Sequence, residues 1–227
     1  KRKDRYRLYL SIARPDNLFI TDLQEKFQTA GIEVKNSNLG QLPETTWFHY
    51  PSDYLGDIVH SLNVRSDNLY AESVLRLLSL SAHEKGSAEK GIDIIRKYWQ
   101  NYEADSLELF MYDGSGLARN NKVSAKYLNC VLKETARDSL IGEYFVQTLP
   151  LAGKEGSVAT IMKHGELPGE LRLKSGSMSD VHAYAGYYTT PQNRYAIVVM
   201  INNYTCTRAQ LKQKISTLLT QVLSKKE

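Results

Sequence analysis

The end of the chain constrains its fold more than any other stretch. Residues 171–175, 183–190 and 195–202 read as three successive strands, the last two rich in Tyr, Ala, Val and Ile, with short links that include the turn Pro191-Gln192-Asn193. Links this short join antiparallel neighbours, because a parallel return needs a crossover of about a dozen residues. Directly afterwards comes Thr207-Arg208-Ala209-Gln210, a capping box that opens a helix. Leu211, Ile215, Leu218, Leu219 and Val222 then recur at helical spacing, a stripe expected to cover one face of the strands.

The preceding sequence is mostly helical. Residues 6–12 alternate as a strand, and residues 17–30 have helical spacing through Leu18, Leu23, Phe27 and Ala30, with Gly31 as a stop. Residues 32–34 and the polar stretch 35–44 follow, then a short strand at 46–50 and a helix from Pro51 to about residue 63. Ser66 or Asp67 caps the next helix, whose apolar face is Leu69, Val74, Leu77 and Leu78. Residues 87–102 form an amphipathic helix with Ile92, Ile95, Tyr98 and Trp99 on its inner side. A strand at 107–112 runs into Asp113-Gly114-Ser115-Gly116, a turn whose glycines permit positive φ. Helices are expected at 124–137, 141–148 and 157–163. An antiparallel sheet with a C-terminal helix on it, beside a helical segment, is an α+β architecture.

Composition fits an ordinary globular chain of 227 residues, 42% hydrophobic and 24% charged. No apolar run approaches the roughly 18 residues that a membrane helix needs. The chain opens Lys1-Arg2-Lys3 rather than with Met, which reads as a fragment or a processed product. A net charge of +4 is mild, its basic residues are scattered, and no nucleic-acid-binding pattern is present, so nucleic acid is not an expected partner. Cys130 and Cys206 are too few for a disulfide framework and have no ligand at metal spacing. Buried or unreactive thiols are expected, with a single bridge in an oxidising compartment as the alternative. His49, His60, His83, His164 and His182 show no metalloprotease spacing, so the reading includes no metal.

Two short elements carry chemistry: Ser66-Asp67-Asn68, and Lys174-Ser175-Gly176 followed by Ser177. Taken alone, the first is a helix N-cap and the second a basic strand end. Their surroundings read SLNVRSDNLYAESVLRLL, MYDGSGLARNNKVSA, LPLAGKEGSVATIMK and LRLKSGSMSDVHAYAGYYTT. In order and rough spacing these blocks resemble the C-terminal portion of the D-alanyl-D-alanine carboxypeptidase/endopeptidase family of low-molecular-mass, serine-type penicillin-binding proteins, over most of residues 46–204. That family combines Ser-x-x-Lys with Ser-x-Asn and Lys-Thr-Gly. The one Ser-x-x-Lys here, Ser87-Ala88-Glu89-Lys90, comes after the Ser-Asp-Asn element instead of before it, and reads as a helix start.

The resemblance implies a transpeptidase-like fold, incomplete at its N-terminus. Residues 1–45 would be the end of an inserted domain and its return, and 46–227 the C-terminal part of the catalytic domain. It implies that Ser66 relays a proton to the leaving group and that Asn68 bonds the substrate backbone. Lys174 would place charge beside the nucleophile and the substrate carboxylate. Ser175 stands where Thr is usual and keeps the hydroxyl that binds that carboxylate. Gly176 would let substrate lie flat, and the Ser177 N–H would be an oxyanion donor. Peptidoglycan stem peptides and β-lactams are the implied partners, the periplasm or another extracytoplasmic space the implied location, and no cofactor is required. The fragment alone is expected to be inactive. A domain of the same fold that binds muropeptides or a partner without catalysis is the second reading.

Overall fold

The computed structural model describes residues 14–33, 51–82, 85–102, 108–162 and 167–225. The chain divides into two compact units, Lys1–Pro51 and Ser52–Glu227. The strands expected at 6–12 and 46–50 lie outside the described residues. In the first unit α1 spans Pro15–Thr29. Proline suits a first turn, where its missing N–H would have no partner anyway. Past the helix end the Ile32 N–H returns to the Phe27 carbonyl at 2.9 Å, around Gly31 at φ 72°.

The second unit contains α2 (Leu55–Arg65), α3 (Asn68–Ser81), α4 (Ala88–Trp99), the small strands β1 (Leu109–Phe110) and β2 (Lys122–Val123), α5 (Ala125–Arg137) and α6 (Gly142–Thr148). A sheet of β3 (Glu170–Met178), β4 (Val181–Thr189) and β5 (Arg194–Asn202) follows, and α7 (Arg208–Leu223) ends the fold. The order is β3-β4-β5, antiparallel throughout, with Lys174 opposite Ala185 and Ala185 opposite Val198.

The central strand β4 is enclosed on both sides. Tyr184 and Tyr188 lie in one core with Leu211, Ile215 and Leu219 of α7. Tyr187 lies in a second core with Leu132 of α5 and Val146 of α6. Burial pushes the Tyr184 hydroxyl up to about 12. The sheet is therefore covered on both faces, which the sequence reading foresaw for only one.

Several details differ from the sequence expectation. The buried stripe of α7 is Leu211, Ile215, Leu219 and Leu223, while Leu218 and Val222 are half exposed. A step of four residues returns to nearly the same helical face, and those two lie one residue behind it. Along α3 the buried positions are Leu75 and Ser79, and Leu69 and Leu77 face outward. The cause is α4: a Cβ on its Gly91 would stand 2.2 Å from the Leu75 carbonyl oxygen, so the two helices meet backbone to backbone along that line. Tyr98 is likewise exposed, and it gathers with Trp99 and Tyr102 in a small aromatic cluster.

The helix expected from Pro51 starts at Leu55, with no side-chain cap and with Asp57 in its first turn. The strand expected at 107–112 contracts to Leu109–Phe110, paired with Lys122–Val123. In the Asp113 turn only Gly116 has positive φ. Of the helix expected at 157–163, the described residues, which run to Met162, form a single 3-10 turn, Gly156–Val158. No disulfide joins Cys130 and Cys206.

Candidate active site

The residues around Ser66 are placed by two helix ends. Ser66 terminates α2 in the left-handed conformation, φ 53° and ψ 53°. A non-glycine residue held there costs roughly 1–3 kcal/mol and persists where its surroundings impose it. The next residue, Asp67, caps α3 by accepting the Tyr70 N–H at 3.2 Å. Of the two expected capping residues, then, Asp67 caps, and Ser66 is released to point elsewhere. Asn68 opens α3 with an exposed side chain that has no hydrogen-bond partner among the described residues.

The other half comes from β3. Residues 150–152 cover the outer edge of this strand over part of its length: Ala152 N–H donates to the Leu171 carbonyl at 2.8 Å and Leu173 N–H to the Pro150 carbonyl at 3.0 Å. Backbone groups of alternate residues point to the same edge, so those of Ser175 and Ser177 continue the row opened by Leu171 and Leu173. Beyond Leu173 that covering segment makes no further backbone bond to the strand. Gly176 is exposed, and a Cβ on it would meet nothing within 4 Å, so the room beside it is empty.

Lys174 joins the halves. Its Nζ donates to Ser66 Oγ at 2.7 Å and to the Ser175 carbonyl at 2.8 Å. Burial disfavours its charged form and lowers its pKa from the usual lysine value. Two residues 108 positions apart in sequence are thus in direct contact. Ser175 Oγ lies 2.6 Å from Ser157 Oγ. Asn68, Gly176 and Ser177 make no side-chain bond in this network, although each adjoins a residue that does, or follows one that adjoins it.

Ser87, of the Ser-x-x-Lys spacing, accepts the Lys90 N–H at 3.1 Å and caps α4. Asp113 ties its own turn together, accepting from Gly116 N, Ala118 N and Asn121 Nδ2. Sequence reasoning missed Ser157, which it took for the start of a helix. The Gly-Ser pair within LPLAGKEGSVATIMK was the available signal.

The three-stranded antiparallel sheet lies between helices, with a lysine on its edge strand bonded to a serine at a helix junction, and the fold is of the β-lactamase/transpeptidase-like class. The chain belongs to the D-Ala-D-Ala carboxypeptidase 3 (S13) family, whose pattern matches residues 1–225. It is similar to the D-alanyl-D-alanine carboxypeptidase DacB of Haemophilus influenzae, 26% identical over 206 residues, which are 87% of this chain and 42% of that protein. A D-alanyl-D-alanine carboxypeptidase of Actinomadura is 25% identical over 193 residues, 80% of this chain and 36% of the relative. The crystal structure of penicillin binding protein 4 from Haemophilus influenzae superposes with a TM-score of 0.73 at 23% identity, covering 94% of this chain and 50% of that one. The chain spans less than half the length of both carboxypeptidase relatives. Among the described residues no helix is long and apolar enough to cross a membrane.

Proposed function

We propose that Ser66, Asn68, Lys174 and residues 175–177 are the substrate-facing part of a serine-type D-Ala-D-Ala carboxypeptidase or endopeptidase site. In this reading it acts on peptidoglycan stem peptides through an acyl-enzyme, outside the cytoplasm, and β-lactams occupy the same place. The attacking serine is not among these residues. The observation that carries the reading is the 2.7 Å bond from Lys174 Nζ to Ser66 Oγ in a chain of this family.

With Lys174 donating to Ser66 Oγ, the serine's own proton is free to pass to a leaving amine, and the lysine replenishes it. An amine whose pKa is lowered toward the working pH exchanges protons more readily in that step. An extended peptide lies along the uncovered edge of β3, pairing with Ser175 and Ser177 as an added strand. The Ser177 N–H then meets the developing oxyanion. Ser175 Oγ and the Lys174 charge receive the terminal carboxylate.

The test is binding of N-acetyl-lysyl-D-alanyl-D-alanine, as free acid and as C-terminal amide, to this chain, followed by backbone amide NMR. A charge-assisted hydrogen bond is worth about 1.5–3 kcal/mol, or roughly one to two factors of ten in affinity. The acid is expected to bind tighter by about that factor and to shift signals at Ser66 and residues 174–177. Ser175→Ala is expected to lower the preference by the share of its hydroxyl, leaving that of the Lys174 charge, and Ser175→Thr to retain it in full. Equal affinity for acid and amide overturns the reading.

A further inference from the structure

We propose that Ser157 is a positioning residue for the carboxylate end of the substrate: it orients the Ser175 hydroxyl and forms with it a two-hydroxyl donor unit. This rests on the site reading above, in which Ser175 receives a carboxylate. The two oxygens are 2.6 Å apart, within the usual range for O–H···O bonds. Each hydroxyl brings one proton. One proton lies between the oxygens; with Ser157 donating it, the Ser175 proton is the free one.

A carboxylate only accepts hydrogen bonds, so a free, already polarised O–H is the group it needs. A hydroxyl that accepts one bond also donates more strongly to the next, because bonds in a chain polarise one another. The pair therefore presents a stronger donor than a lone serine. Without Ser157, the Ser175 side chain is free to spread over three staggered rotamers, of which one places the hydroxyl as seen here.

The position of Ser157 is fixed from both sides. Gly156, at φ 50°, lies so near α2 that a Cβ on it would stand 2.1 Å from the Val64 carbonyl oxygen. Val158 is wholly buried in the core with Leu173 and Tyr184. Val64 is two residues before Ser66, so the contact that holds the 3-10 turn also ties it to the α2 end that carries the Lys174 partner. Ser157, Ser175, Lys174 and Ser66 thereby form one connected row, linked at 2.6, 2.8 and 2.7 Å through the side chain and then the carbonyl of Ser175.

The experiment measures acid and amide peptide affinities by NMR titration for the chain and for Ser157→Ala, Ser157→Thr, Ser157→Val, Ser175→Ala and the Ser157→Ala/Ser175→Ala double variant. Ser157→Ala is expected to lower the acid-to-amide preference about threefold or more, from the freed rotamers. Ser157→Thr restores it and the similarly shaped Ser157→Val does not. In the Ser175→Ala background, Ser157→Ala changes the preference no further, since it acts through the missing hydroxyl. If Ser175→Ala lowers the preference while Ser157→Ala leaves it intact, or if Val rescues as well as Thr, this inference is wrong and the site reading stands. If Ser175→Ala leaves the preference unchanged, or neither peptide binds, the site reading fails and this inference with it.

Discussion

Glu72 receives three hydrogen bonds on one oxygen from the turn at Ser115: Gly114 N–H at 3.1 Å, Ser115 N–H at 3.0 Å and Ser115 Oγ at 2.7 Å. Asp113 ties the turn internally, and Glu72 pins it to α3, the helix that begins at Asn68. The Asp113-Gly114-Ser115-Gly116 element is accordingly a clamp on the helix behind the site. Bonds to an ionised acceptor are worth about 1.5–3 kcal/mol, and two of these donors are backbone groups that would be left unpaired. Glu72→Ala is therefore expected to cost about 2 kcal/mol in urea denaturation. Glu72→Gln keeps an acceptor and should cost less. Equal stability of the alanine variant and the parent would refute the clamp.

Tyr187 ties β4 to α5 through a hydrogen bond from its hydroxyl to the Leu132 carbonyl at 2.7 Å, in a core where the tyrosine is 1% exposed. Tyr187→Phe keeps the ring and its packing against Phe145. Only the hydroxyl's contribution disappears, about 1 kcal/mol for a typical buried bond. A phenylalanine variant as stable as the parent in the same urea measurement would show that the ring alone holds the two elements together.

The architecture was legible where pattern and partner coincide. The three strands, the first of them three residues longer at its end than expected, the helix at 124–137 and the α7 capping box are all present, because each depends on neighbours within a few residues. What was not legible depends on distant backbone. Which face of α3 is buried follows from the approach of Gly91, and the 3-10 turn at Gly156–Val158, in place of the start of a helix, accompanies Gly156 pressed on Val64. Neither contact has a local periodicity. In the candidate site, Lys174 and Ser66 were singled out by their elements, but the Ser157 hydroxyl comes within 2.6 Å of Ser175 Oγ only through folding.

The left-handed backbone at Ser66 has a measurable consequence. An L-residue in this conformation costs roughly 1–2 kcal/mol that glycine does not incur, partly offset by glycine's greater freedom in the unfolded chain. Ser66→Ala and Ser66→Gly both remove the Lys174 partner and differ in this strain less the offset. The glycine variant is expected to be more stable than the alanine variant by about 1 kcal/mol, with both losing the same function. Were alanine the more stable of the two, the helix junction would impose no strain at Ser66.

Lys174 sets two effects against each other. Burial disfavours its ammonium form, whereas acceptance by the Ser175 carbonyl and Ser66 Oγ favours it. Burial is the larger effect, so the amine is expected to titrate below 10.5, the ordinary lysine value. The unfolded chain then holds this proton more tightly than the folded one, and folding stability gains with rising pH between the folded midpoint and 10.5. Below the folded midpoint both states are protonated, and the full cost of burying the charge is present. Lys174→Met removes that gain, so the stability of the parent relative to this variant should increase with pH across that window. The midpoint itself is read from the Lys174 Cε–Hε NMR signals. A midpoint at or above 10.5 would mean that the two acceptors outweigh burial. Lys174 would then be a fixed positive charge for the carboxylate, and the proton relay through Ser66 would lose its driving force.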